Sequence, residues 1–271
     1  MAEPAHPTAS TTPVLVARQN GVATLTLNRP ERLNAIDGAL GHALVDALHL
    51  AAQDAEVRAV VLTGAGRGFC SGGDLGLLRE AREHQAVQEL EGLLRSGKQI
   101  ILAIASMPKP VVAAVNGPAA GAGCNLALAC GICIASDRAT FTQSFAKLGL
   151  FPDFGATYIL PRLVGPSRAA ELLYTAETVD AAEAVRLGLV SRAVPHDRLA
   201  DEAAAVATRL AAAPPLVLLG IKQALFTDDR KALERALEEE IRWQIRCFES
   251  KDSREGIRAY FEKRAPHFRG E

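Results

Sequence analysis

A chain of 271 residues, 49% apolar and 23% charged, is long enough for one substantial core or a core with a helical appendage, and it has the composition of an ordinary globular protein. Thirty Lys and Arg against 31 Asp and Glu leave a net charge of -1, so no global field gathers nucleic acid or an anionic membrane, and an anionic ligand must be held locally. The five cysteines (Cys70, Cys124, Cys130, Cys133, Cys247) are odd in number and lie mostly in apolar runs, which argues against a disulfide framework and for a reducing compartment. MAEPAHPTASTTP lacks the basic and apolar segments of a secretory signal, and no apolar stretch spans a bilayer without Gly, Pro or charge. The expectation is a cytoplasmic protein with a short disordered tail over residues 1–12.

In chain order, VLVAR and GVATLTLNRP alternate with period two around Asn20-Gly21 and predict a hairpin. Asp37 is placed to cap a helix whose Leu40, Leu44, Leu48 and Ala52 share one face. VRAVVLTG (57–64) predicts a buried strand, and GAGRGFCSGGDL a glycine-rich loop leading into a helical stretch over 75–106. After the break MPKP, PVVAAVNG (110–117) repeats the pattern, with the loop PAAGAG and the helix CNLALA behind it. Strand, glycine loop and helix thus recur roughly fifty residues apart, which suggests an α/β spiral of ββα-type turns. ICIASDRATFTQ reads as a further strand pair. The core is assigned to 13–200, and 201–271 reads as helices only. In the last of these, Leu233, Leu237, Ile241, Ile245 and Phe248 form an apolar stripe that needs a partner, either the chain's own core or another subunit, so an oligomer is expected.

Several motifs fail on inspection. Gly64, Gly66 and Gly68 do not have dinucleotide-loop spacing, and Ser71 in CSGG is not in a G-x-S-x-G elbow. Cys130 and Cys133 form a lone C-x-x-C inside LALACGICIAS with no nearby His, and the six histidines are scattered, so no metal site is expected. The glycine loops carry more, because each brings free backbone N–H groups to a helix start, and two such loops face to face aim two donors at one oxygen. Tight strand-to-helix connections without a ligand explain them equally well. Asp153 is the only charge between Lys147 and Arg162 in KLGLFPDFGATYILPRL; it either caps the helix that follows or is an acid held in apolar surroundings.

NRPERLNAID, GRGFCSGGDL, VNGPAAGAGCNLALAC, FAKLGLFPDFGATYILPRLVG and FEKRAPHF, in that order and spacing, resemble the crotonase (enoyl-CoA hydratase/isomerase) superfamily of acyl-CoA enzymes. The resemblance implies a crotonase-like spiral of ββα units with a C-terminal helical trimerisation region, a homotrimer or hexamer (dimer of trimers), and a reaction through a thioester enolate. It implies oxyanion donors at the Gly73 and Ala122 N–H groups, and a CoA groove lined by Arg32, Leu33, Ser71, Gly72, Asp74 and Leu75. Tyr260 and Lys263 match positions that contact the CoA of a neighbouring subunit. The positions of the two glutamates used by hydratases of this family read Asn125 and Phe145, neither of which is a base near neutral pH. Hydration needs both a base and an acid, whereas shifting a double bond needs one carboxylate, and Asp153 is the acid present. The segment LFPDFGATY looks most like the isomerase branch that includes 1,2-epoxyphenylacetyl-CoA isomerase. The expectation is an acyl-CoA isomerase with Asp153 as proton shuttle, Asn125 hydrogen-bonding to substrate or base, Phe145 by the acyl pocket, and no metal or redox cofactor. A hydratase using Asp153, a thioester-cleaving or ring-cyclising relative, and a catalytically silent CoA-binding scaffold remain alternatives.

Overall fold

The computed structural model describes residues 12–84, 86–227 and 230–271, with the side chains of 226 and 227 left aside, so the disordered-tail reading lies outside the described residues except for Thr12. β1 (Val14–Gln19) and β2 (Val22–Leu27) form the expected hairpin, with positive φ at both Asn20 and Gly21 matching the twist of the two strands. β3 (Ala59–Gly64) adds to β2 in parallel, and β4 (Val111–Val115) adds to β3. The remaining strands are β5 (Ala119–Ala120), β6 (Ile132–Ser136), β7 (Thr140–Thr142), β8 (Thr178–Asp180) and β9 (Arg192–Val194). A six-stranded sheet runs β1-β2-β3-β4-β6-β9, and a small three-stranded sheet runs β5-β7-β8. The expected pairing within ICIASDRATFTQ is therefore corrected. Both strands form, but β6 joins the large sheet and β7 the small one, because the turn closed by Ala139 N–H on Ser136 O passes the chain from one layer to the other.

The helices are α1 (Gly38–Gln53), α2 (Leu75–Glu83), α3 (Val87–Ser106), α4 (Ala122–Leu128), α5 (Ala156–Thr175), α6 (Ala181–Leu187), α7 (Leu199–Ala212), α8 (Pro215–Lys222), α9 (Arg230–Glu249) and α10 (Lys251–Phe261). Asp37 caps α1 by accepting from Leu40 N–H at 2.8 Å; Leu40, Leu44, Leu48 and Ala51 are buried, and Ala52 packs partly buried against the same core. The stretch 75–106 is two helices, the first ending at Glu83 and the second beginning at Val87. Alternation along the strands divides the core: Leu25, Leu27, Val60, Leu62, Ala113 and Val115 pack with α1 and α3, while Val22, Ala59, Val61, Val112 and Ala114 face α7. Both faces of the parallel strands are covered, which is why they read as unbroken apolar runs. No single helix among the described residues is long and apolar enough to cross a membrane.

α9 settles where its stripe goes. Leu233, Leu237, Ile241 and Phe248 are buried and Ile245 partly so, against helices of the same chain, chiefly α3, α5 and α10. The stripe thus finds its partner in the chain's own core and does not call for a second subunit. The adjoining polar row of α9 is also turned inward. Glu240 accepts from Gly155 N–H at 2.8 Å, Thr157 N–H at 2.9 Å and Thr157 Oγ1 at 2.6 Å, so it caps α5 from another helix. Burial pushes the Glu240 carboxyl above the usual range, against those hydrogen bonds. α10, which sequence patterning misses, starts at the cap Ser250 and lies across the backbone of Leu148; a methyl group on Gly256 would sit 2.5 Å from Leu148 O.

Candidate active site

Two glycine loops meet where the chain following β3 passes the start of α4. Asn34, fully buried, pins the first of them: its Nδ2 donates to Ala65 O, Gly68 O and Phe69 O, and its Oδ1 accepts from Arg29 N–H. Ile36 N–H then donates to Gly72 O at 2.7 Å and Asp74 N–H to Ile36 O at 3.0 Å. That short parallel bridge uses the groups on either side of Gly73, so the Gly73 N–H points the other way. A second bridge, Cys70 to Ala119, sets the loops side by side, with Cys70 N–H on Pro118 O and Ala120 N–H on Cys70 O. A methyl group on Gly72 would lie 2.9 Å from Ala120 O and 3.5 Å from Ala122 N. Ala122 begins α4, where an N–H has no acceptor one turn earlier. Among the described residues, neither the Gly73 nor the Ala122 N–H has a hydrogen-bond acceptor.

Asp153 is tied to α4 through Asn125, one helical turn beyond Ala122. Asn125 Nδ2 donates to Asp153 O at 2.8 Å, and Asn125 Oδ1 accepts from Gln143 Nε2 at 2.7 Å. Asn125 lies three residues beyond Ala122 on α4, so the helix that presents one free N–H also holds the acid's main chain. Asp153 is 8% exposed; its Oδ2 accepts from Gln244 Nε2 at 3.0 Å, and Oδ1 is buried without a partner among the described residues. The helix-cap alternative falls, because the side chain of Asp153 makes no bond to α5 and Glu240 occupies that role. Burial drives the Asp153 carboxyl up from 3.8 to about 7; the Gln244 hydrogen bond opposes the rise and the charge of Glu240 adds to it. Phe145 is buried with its ring edge toward the second loop, 3.5 Å from where a methyl on Gly121 would stand.

A carboxyl whose folded value lies above its unfolded one binds its proton more tightly in the folded state. Its contribution is therefore fully present below the unfolded value and declines as pH rises toward about 7. Asp153→Asn removes that decline: thermal melts are expected to match the wild type near pH 4 and to lie above it near pH 8.5. A wild-type advantage at the higher pH contradicts the buried-acid assignment.

The other expected residues divide. Arg32, Leu33, Ser71 and Leu75 flank the first loop, joined by Ser71 N–H to Leu33 O at 3.0 Å and Ser71 Oγ to Arg32 O at 3.3 Å. Asp74 lies in the same segment. Its carboxylate caps α2 through Gly76 N–H at 3.0 Å and pairs with Arg29 Nη2 at 3.2 Å, which also pairs with Asp37 at 3.1 Å. Asn125 bonds toward the acid, through the main-chain carbonyl of Asp153; it is 1% exposed, and both ends of its amide are taken up within the protein. Tyr260 and Lys263 are exposed at the end of α10, which packs on its own chain through its other face. Arg79 of α2 stacks 4.4 Å from the Phe261 ring centre, and Arg82 donates to Ser253 Oγ at 3.0 Å and to Ser250 O. Sequence reasoning misses Asn34, Glu240 and Gln244; a polar residue beside an amphipathic stripe reads as surface until tertiary packing turns it inward.

The enoyl-CoA hydratase/isomerase family model matches residues 17–271. A protein of Rhodobacter capsulatus named probable enoyl-CoA hydratase is 46% identical, over 92% of this chain and 95% of its own. The 1,2-epoxyphenylacetyl-CoA isomerase of Escherichia coli is 40% identical, over 93% and 96% respectively. The crystal structure of an enoyl-CoA hydratase from Mycobacterium avium subsp. paratuberculosis superposes with a TM-score of 0.85 at 35% identity, covering 95% of this chain and 98% of that one. The resemblance drawn from the motifs and the fold it implies are both borne out.

Proposed function

Because the chain belongs to the enoyl-CoA hydratase/isomerase family, an acyl-CoA thioester is the premise for its substrate, and we propose that it moves a double bond in an enoyl-CoA or ring-derived CoA thioester. In a 3-enoyl thioester, Asp153 Oδ1 takes a proton from the carbon next to the thioester carbonyl. The electron pair delocalises into a dienolate whose oxygen accepts from Gly73 and Ala122 N–H, and the same carboxyl returns the proton at the far end, giving the 2-enoyl thioester. Atoms balance without water and without a metal or redox cofactor. A carboxyl at about 7 is divided between acid and base forms near neutrality, which suits a group that must take and then give one proton.

The observation that carries this reading is the buried acid Asp153, whose Oδ1 has no partner among the described residues, beside Asn125 and Phe145 where hydration needs carboxylates. The 46% identity to a protein named probable hydratase keeps hydration as the second reading. Incubation with 3-hexenoyl-CoA and, separately, crotonyl-CoA distinguishes them: 2-hexenoyl-CoA is expected from the first and no 3-hydroxybutyryl-CoA from the second. Rapid formation of the hydroxy product, with no double-bond migration, overturns the isomerase reading. The apolar residues exposed on and just beyond α8, Leu216, Val217, Ile221 and Leu225, support assembly as a trimer or hexamer, and five free thiols support a cytoplasmic setting.

A further inference from the structure

Gln244 is 3% exposed in the middle of α9 and lies one turn beyond Glu240. Its amide makes two bonds to the loop that carries the acid: Oε1 accepts from Phe151 N–H at 2.8 Å, and Nε2 donates to Asp153 Oδ2 at 3.0 Å. The orientation is fixed by chemistry, since Phe151 N–H can only donate; the oxygen must face it, and the NH2 must face the carboxylate. The two oxygens of Asp153 are thereby made unequal, because Oδ2 is held by Gln244 while Oδ1 is buried and unpartnered among the described residues.

We propose that Gln244 is a positioning residue for the reaction: it fixes the Asp153 carboxylate through Oδ2 and so assigns proton transfer to Oδ1. The proposal rests on the reading of Asp153 as the proton carrier. α9 thus holds the segment 151–157 at two levels, Gln244 on the acid and Glu240 on the helix start behind it. Among the described residues, Glu240 is the titratable group whose charge bears on Asp153, and it raises the carboxyl; Asn125 from α4 is neutral, and so is Phe145 from the turn before the loop. A neutral donor on Oδ2 favours the ionised acid, so removing it moves the titration upward.

Two variants test this. Gln244→Leu removes both bonds; Gln244→Glu keeps an acceptor for Phe151 N–H and replaces only the donor. The Asp153 carboxyl is followed by carbon-13 NMR titration, assigned by its loss in Asp153→Asn, and double-bond migration is followed against pH in the same proteins. In Gln244→Leu, Asp153 is expected to titrate at higher pH than in the wild type, with kcat lowered about tenfold or more at neutral pH and KM little changed. In Gln244→Glu the two acids titrate as a coupled pair whose upper step lies above the wild-type value. A folded Gln244→Glu protein that titrates and turns over like the wild type overturns the proposal. If the titration moves as expected while Asp153→Asn stays fully active, the contact between Gln244 and Asp153 stands and the functional reading of Asp153 falls.

Discussion

Asp153→Asn is expected to lower kcat for double-bond migration by about a thousandfold, with KM within a factor of about three. The substitution is chosen for what it spares. Asparagine retains an oxygen to accept from Gln244 Nε2, and the bond from Asn125 goes to the main-chain carbonyl, so the loop keeps both anchors. Only the proton acceptor is lost. Among the described residues of α2 and α3, Glu80, Glu83 and Glu89 are exposed, and Glu91 is paired with Arg95 at 2.6 Å, so none of these acids is placed to replace it. The remaining buried carboxylate of the region, Glu240, spends both oxygens on Gly155 and Thr157. The wild-type rate should also fall as pH drops below about 7, because only the ionised carboxylate accepts the first proton. Steady-state kinetics on both proteins across pH check both statements, and a variant that retains the wild-type rate removes Asp153 from the chemistry.

The parts of this site that the sequence displays are those set by local rules. A hairpin follows from alternation and Asn20-Gly21, and the glycine loops follow from strands that end in residues able to adopt positive φ. The cap at Asp37 lies three residues from the group it bonds. What stays hidden depends on distant packing. Whether Asp153 caps a helix or stands as a buried acid cannot be read locally, because the group that displaces it as cap is Glu240, 85 positions beyond Gly155. Gln244 is hidden for the same reason. β8 and β9, of three residues each, are too short for a periodic signal and exist only through their partners β7 and β6. Asn125 was legible as a hydrogen-bonding residue, but its acceptor is a backbone carbonyl that no side-chain motif records.

The second large effect is expected at Gly72, where alanine should lower kcat by about a hundredfold or more, with little change in the affinity for a non-reacting CoA ester. Gly72 has φ +95, outside the usual range of residues with a Cβ, and the added methyl would stand 2.9 Å from Ala120 O and 3.5 Å from Ala122 N. Both neighbours are backbone and cannot swing aside as a side chain does. The first segment is tied down by the bond from Ile36 N–H to Gly72 O, and the second by Ala120 N–H on Cys70 O and Gly121 N–H on Thr142 O. Relief must therefore come from moving the two loops apart by some tenths of an ångström, and that is the spacing between the Gly73 and Ala122 donors. Two N–H groups serve one oxygen only while both point at it, so the loss falls on the transition state, where the oxygen carries its charge, more than on ground-state binding. Gly92→Ala supplies the control: nothing lies within 4 Å of a methyl at that exposed position of α3, and helix propensity favours alanine there by about 1 kcal/mol. If Gly72→Ala folds and turns over as fast as Gly92→Ala, the two loops do not hold the enolate.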